Sequence, residues 1–556
     1  MSSLFAAKLC LLGVLATFIP LFVGWPRNVW VRRGLFAALV VLFGAMFALS
    51  VNAVGSRSQQ FDRLGGQPTA LAAAGAAAVL FMAALTWLAY RYPTIAICAL
   101  VALLPIRLPL PLGGGASNLL VPLYLLTLAI ALAEIVVRDR LAVPDGFRRD
   151  PTRLALAAVI AVSGVSVLWV GLKFAVPEKA YANAMIKLFA FYVPFAAVFY
   201  LVVQYVGSRL RLQRILTVFL GAGIVLSIVG LVQVPTHWVI FNRDVIMRNE
   251  ELQGAFRVNS LFWDPNMFSR FCALVALVGV AVFLAFRHVG YEAKWRRALP
   301  LTAAALAATL ATTAYIFTFS RTGLISLVVG AVIIELAWLG WKKGLIAVLV
   351  TALVLAGGLY GITRARHAKH VEVKLSTTIG LNKLTGGRVF LIKGGWRMFR
   401  RHPLTGVGLG AFPQAFPKYR TSHGARLTLR ESHTTPVTVA AELGVAGLIP
   451  YAALLVAFFA TTLHRRRFGA ARDLYLLQAG IVAAVATITV ASLSYNAYFE
   501  DPYLWLFLGL GVAGATRLAP GRARERAADA TAVSADEASA STDQTPDDAG
   551  PLRASD

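Results

Sequence analysis

Acidic side chains are scarce in this sequence. There are 26 Asp and Glu against 53 Lys and Arg, and only 14% of the residues carry charge. Residues 55–67 hold a single acid, Asp62, and the long stretch 363–433 holds only Glu372 and Glu431. A divalent cation needs several carboxylate or carbonyl oxygens, so that stretch offers no acidic cluster to hold one. Cysteine is nearly absent. Cys10, Cys98 and Cys272 stand alone in apolar runs, which argues against a disulfide framework or a thiolate metal site and leaves packing as their role. Short segments alternating apolar and polar residues are missing, and with them a transmembrane barrel. No internal repeat is visible.

Apolar sequence is abundant. Hydrophobic residues make up 58% of the chain and the mean hydropathy is +0.70. Many runs of about 20 residues lack charge, the pattern of an all-α polytopic integral membrane protein with about 12–15 transmembrane helices. The first run, Leu4 to Trp25, is long for the apolar region of a cleaved signal and lacks a clear cleavage site. It reads as a span or a membrane-lying helix. The fourth, 94–105, is short and flanked by Pro93 and Pro105, which suits a re-entrant segment. From Leu301 to Trp341 only Arg321 and Glu335 are charged. As one helix this run would be about 60 Å long, twice a bilayer's hydrocarbon core. It therefore reads as two spans, 299–318 and 322–340, with Arg321 at their junction.

The formal charge of +27 lies largely in loops between spans. Membrane topology and a membrane-bound anionic ligand explain it better than nucleic acid does. Basic loops orient a bundle. The segments "RDRLAVPDGFRRDPTR", "RLRLQR", "RHVGYEAKWRR", "WKK" and "HRRRFGAAR" fall on one side by alternate counting, which is expected to be the cytoplasm. The expected organisation is a transmembrane bundle over 1–362, a long partly helical loop over 363–433 on the opposite side, further transmembrane helices over 434–518, and a disordered cytoplasmic tail over 519–556.

The loop 363–433 carries 14 Lys and Arg against its two acids. The orientation rule weakens for loops of this length, so its charge reads as provision for an anionic partner. Within it, "GRVFLIKGGWRMFRRHP" places Val389, Phe390, Ile392, Trp396 and Phe399 at the spacing of an amphipathic helix. "HPLTGVGLGAF" follows. Its glycines lack the strand–turn–helix context of a nucleotide site and suit a turn where backbone approaches another helix or a ligand. His433 stands at the mouth of a span. An imidazole there could take a proton from a sugar hydroxyl, or simply sit at the membrane interface. Glu442 lies within a span, where an acid is costly and needs an interior partner.

Three stretches together resemble the O-antigen ligase and polymerase superfamily: "RVNSLFWDPN" at 257–266, "FSRTG" at 319–323, and "GRVF…HPLTGVGLGAF…SHTTPVTVAAELGVAGL" from 387 to 448. The resemblance covers roughly residues 250–450. It implies a metal-independent membrane glycosyltransferase of the bacterial inner membrane, without a cofactor. Such an enzyme moves a glycan from undecaprenyl diphosphate to a hydroxyl on lipid A-core, another glycan or a protein, on the periplasmic face and among membrane lipids. On the matching positions, Arg321 and Arg388 would engage the diphosphate and His433 would activate the acceptor. Arg257 is a further motif arginine, and Asp264, Asn266 and Glu442 are candidates for substrate contacts. Thr434 departs from the Asn common after that histidine. Ligase activity is favoured over polymerase activity. A transporter or flippase would instead use the intramembrane charges Asp264, Arg270, Glu335 and Glu442, and an assembly scaffold would not need His433.

Overall fold

A backbone surrounded by lipid must satisfy its own hydrogen bonds, so long apolar runs become helices. The structure, a computed structural model, describes residues 2–24, 28–55, 68–106, 108–112, 115–137, 150–170, 177–253, 255–287, 294–365, 388–419, 432–463, 471–494 and 497–519. Parts of the expected loop (366–387 and 420–431) and nearly all of the expected tail (520–556) lie outside these residues.

Helices α1 (Ser2–Val23) and α2 (Val29–Gly55) open the chain. Helices α3 (Pro68–Arg91) and α4 (Pro93–Leu103) meet at a 116° bend. Pro93 forces the bend by excluding Tyr92 from helical backbone. A short hairpin, β1 (Leu108–Leu112) with β2 (Gly115–Leu119), leads into α5 (Val121–Leu132). Next come α6 (Pro151–Ser166) and α7 (Pro177–Ile186), which continues through a π-helical stretch, Lys187–Tyr192, into α8 (Val193–Tyr205). Then follow α9 (Arg209–Thr236), the short α10 (Arg243–Gln253), α11 (Pro265–Arg287), α12 (Lys294–Ile316) and α13 (Arg321–Ala365). The last are α14 (Arg388–Arg401), α15 (Phe412–Tyr419), α16 (Thr435–Thr462), α17 (Arg472–Ala491) and α18 (Pro502–Ala513).

Arg321 is the first residue of α13, directly after the turn that follows α12. The two spans expected over 301–341 are therefore separate helices. Helix α13 itself folds back at Gly340, whose φ of 74° and ψ of 170° break it. Gly344 lies against Leu336 and Gly358 against Leu324, so its halves run antiparallel.

Among the described residues, eight helices are individually long and apolar enough to cross a membrane, or nine when the bent α3–α4 pair counts as one span. Three shorter apolar helices, Val121–Ile135, Pro151–Ser166 and Pro300–Ile316, accompany them. This strict count is below the expected 12–15 because several passes are short or bent, and α13 holds two in one element. Helices α11 and α17 form the centre of the bundle, and every residue of α18 is buried.

The two ends of the bundle differ. At one end Arg209 pairs with Asp473, Arg472 donates to the Trp338 carbonyl at 3.1 Å, and Arg517 donates to the Val203 and Gln204 carbonyls at 2.6 and 2.8 Å. Arg209, Arg472 and Arg517 thus meet at one end, beside the helix turn that holds Trp338. The other end gathers the C-termini of α9, α12 and α17 and the N-termini of α11, α13, α16 and α18.

Candidate functional site

At that second end, the stretches 257–266 and 315–323 are tied together. Asp264 precedes Pro265, and its Oδ1 accepts from the Asn266 amide at 2.6 Å, capping α11. A proline in the first helical turn and an acid before it are both suited to a helix start. The Arg257 Nε donates to the Thr318 carbonyl at 2.8 Å, and its Nη2 donates to Asn266 Oδ1 at 2.9 Å. Ser320 Oγ donates to the same Asn266 oxygen at 3.1 Å, and the Val258 amide donates to the Phe317 carbonyl at 3.2 Å. The Tyr315 hydroxyl donates to the Ser320 carbonyl at 2.7 Å. Two residues here, Ser260 (φ 50°) and Phe319 (φ 47°), adopt left-handed backbone, which is uncommon outside glycine and concentrates at functional sites. Ser260 is held there by Gln233, whose Oε1 accepts from the Asn259 and Ser260 amides at 3.2 and 2.7 Å.

The electrostatics bring in a third segment. Arg257 is only 6% exposed. Burial lowers its pKa, the neighbouring Arg321 lowers it further, and Asp264 opposes both. Arg388, at the start of α14, is lowered by burial and by Arg321, with Asp264 again opposing. Among the described residues, three guanidinium groups from three separated segments therefore share one electrostatic environment with Asp264. Among the described residues none of the three has a carboxylate within ion-pair distance. Arg257 spends two of its five donors on protein oxygens. An excess of planar, forked cations, running from buried Arg257 through half-buried Arg388 to exposed Arg321, suits a phosphate-bearing anion.

His433 lies two residues before α16 at this end, half-buried, with φ of 55°. Ser432 and the end of α17 fix its turn. Ser432 Oγ donates to the Thr434 carbonyl at 2.8 Å and accepts from the Thr434 amide at 3.1 Å. The Thr435 amide donates to the Ser492 carbonyl at 2.9 Å, and Thr434 Oγ1 donates to the Leu493 carbonyl at 3.2 Å.

The expected amphipathic helix exists as α14, but its packed face differs from the expected one. It buries Phe390, Leu391, Gly394, Gly395 and Met398, whereas Ile392 and Trp396 are 37% and 52% exposed. Gly394 and Gly395 leave space that Phe416, Phe412 and Val437 fill, so the glycine face makes the contact. The following segment lies against α16. The Val407 and Gly408 amides donate to the Ala441 and Glu442 carbonyls at 2.9 and 2.7 Å, and the Val445 amide donates to the Pro403 carbonyl at 2.7 Å. Gly406 (φ +64) and Gly444 (φ +63) make this possible. A Cβ on Gly406 would come within 2.3 Å of the Glu442 backbone, and one on Gly444 within 2.5 Å of the Leu404 backbone. The glycines thus serve backbone-to-helix packing, one of the two uses the sequence allowed. Gly406→Ala is expected to destabilise the protein by about 2–5 kcal/mol through backbone overlap and an unfavourable φ. Its thermal unfolding in detergent should show this, and a midpoint equal to wild type would contradict the packing.

Glu442 does not join the arginines. Its carboxylate is buried, pairs with Lys187 Nζ at 3.2 Å and accepts from the Phe412 amide at 3.3 Å. It has the interior partner its position demanded, and it anchors the 403–412 segment. Glu500 stands 3.9 Å from the same Lys187. Reading the sequence missed Lys187 and Glu500 as neighbours of Glu442, and Ser320 as a neighbour of Asn266. A lysine inside an apolar span was the available signal for the first.

No curated protein matches this sequence. The segment that runs from α12 through Arg321, Arg388 and His433 into the middle of α16, residues 303–452, matches the family model described as O-antigen ligase, in agreement with the resemblance seen in the sequence motifs.

Proposed function

We propose that the protein is a membrane glycosyltransferase that moves a glycan from undecaprenyl diphosphate to an acceptor hydroxyl at the periplasmic face of a bacterial inner membrane. The observation that carries this reading is the excess of cation at one end of the bundle: Arg257, Arg321 and Arg388, from three segments, with Asp264 as the acid that acts on Arg257 and Arg388 among the described residues. The arginines hold the donor's diphosphate. His433 takes the acceptor's hydroxyl proton while the acceptor oxygen bonds to the anomeric carbon. The bond from that carbon to the diphosphate oxygen breaks, and undecaprenyl diphosphate leaves with the electron pair. The guanidinium groups supply the charge that a divalent cation would otherwise supply. Ligase activity towards lipid A-core is the favoured form. A polymerase would use the same donor chemistry with a second lipid-linked glycan as acceptor.

Transport is less well supported, because the charges it would use are already engaged. Arg270 pairs with Asp501 at 2.9 Å, Glu442 with Lys187, and Glu335 accepts from Thr351 at 2.7 Å. The deciding experiment gives purified protein a lipid-diphosphate-linked glycan and either acceptor, with a chelator present. Transfer with release of undecaprenyl diphosphate is expected. Absence of transfer to both acceptors, from protein shown to be folded, would reject the reading.

A further inference from the structure

We infer that Asn266 is a positioning residue, a neutral acceptor that aims Arg257 and fixes the Ser320–Arg321 tip without cancelling the positive charge of the site. This rests on the diphosphate reading above. Asn266 occupies the first turn of α11, and its own amide is held by Asp264 Oδ1 at 2.6 Å. Its side-chain oxygen receives Arg257 Nη2 at 2.9 Å and Ser320 Oγ at 3.1 Å. A guanidinium only donates, so the atom facing it must be the oxygen, and the amide orientation follows. One oxygen therefore links the loop that carries Arg257 to the residue preceding Arg321. The second orienting contact of Arg257, the Thr318 carbonyl at 2.8 Å, is also uncharged.

That neutrality has chemical meaning. A carboxylate is the usual acceptor for a buried guanidinium and would be the stronger one. Aspartate would fit the same space, since it differs from asparagine only in replacing the amide nitrogen by oxygen. It would, however, spend Arg257's charge on the protein. An amide holds the fork in place and leaves the charge for an incoming anion. Asn266 therefore acts through Arg257 and Ser320, and its oxygen is already occupied by protein donors.

Two variants separate this role from a purely structural one. If Asn266 served only to hold the fold, Asn266→Asp, which keeps both size and acceptor, would be milder than Asn266→Ala. The positioning role predicts the opposite order. Binding of undecaprenyl diphosphate to purified protein should weaken by about 10- to 100-fold in Asn266→Asp, the scale on which an adjacent unit charge shifts an equilibrium. Asn266→Ala should weaken it less, and the Asp variant should keep a wild-type unfolding temperature. Equal binding by the Asp variant and wild type, or weaker binding by Ala than by Asp, would overturn the inference. A wild-type protein that binds no diphosphate would instead remove the functional reading, and this role with it.

Discussion

Arg321→Ala is expected to lower glycan transfer by about 10³-fold or more, the range found when a transition-state arginine is removed from phosphoryl chemistry, with protein abundance unchanged. The structure supports a selective effect. Arg321 is exposed at the first position of α13, so its side chain is not needed to fill the core. Its charge is nevertheless felt by both Arg257 and Arg388. It is thus the guanidinium common to the other two. Arg321→Lys keeps the charge and loses the planar fork, and should still cost about tenfold or more. The measurement is initial-rate transfer by purified variants alongside their unfolding temperatures. A fully active Lys variant would reduce the residue to a point charge, and a fully active Ala variant would remove it from the site.

Two features of the candidate site's surroundings, the turn at Arg321 and the buried pairing of Glu442, were legible in the sequence. Arg321 declared itself because a run of about 60 Å cannot be one span, and the only charge near its middle must mark the turn. Glu442 declared a need for a partner through its depth in an apolar run. The partner's identity was not legible. Lys187 lies 255 residues away in sequence, and pairing at that separation is set by how the helices pack, which hydropathy does not encode.

The face of α14 was misread for a related reason. Apolar periodicity selects the largest side chains, Ile392 and Trp396 among them, but this helix is joined to its neighbours through Gly394 and Gly395. What packs into a glycine groove is the partner's rings, and those belong to Phe412 and Phe416, in a different helix. Asn266 shows the limit at single-residue scale. Its motif could be read as a set of substrate contacts, while the geometry gives its oxygen to Arg257 and Ser320.

His433→Ala separates an enzyme from a transporter or a scaffold. If the imidazole is the acceptor-activating base, transfer should fall by about 10²–10⁴-fold, the usual cost of losing a general base. Binding of the lipid-diphosphate donor should persist, because Arg257, Arg321 and Arg388 remain. The residue's setting favours this division. Ser432 and the Ser492–Leu493 end of α17 hold the turn around it through backbone and hydroxyl contacts. These contacts come from neighbouring backbone and hydroxyl groups, and the residue's own φ of 55° is strained for a side-chain-bearing residue. Histidine tolerates this φ better than alanine does, so yield and unfolding temperature are measured beside activity, and the variant His433→Asn keeps the backbone preference while removing the base. A transporter would show no transfer even as wild type, and a scaffold would tolerate the substitution in cells. Near-normal turnover in His433→Ala beside an inactive Arg321→Ala would keep the diphosphate site and move the base to another residue.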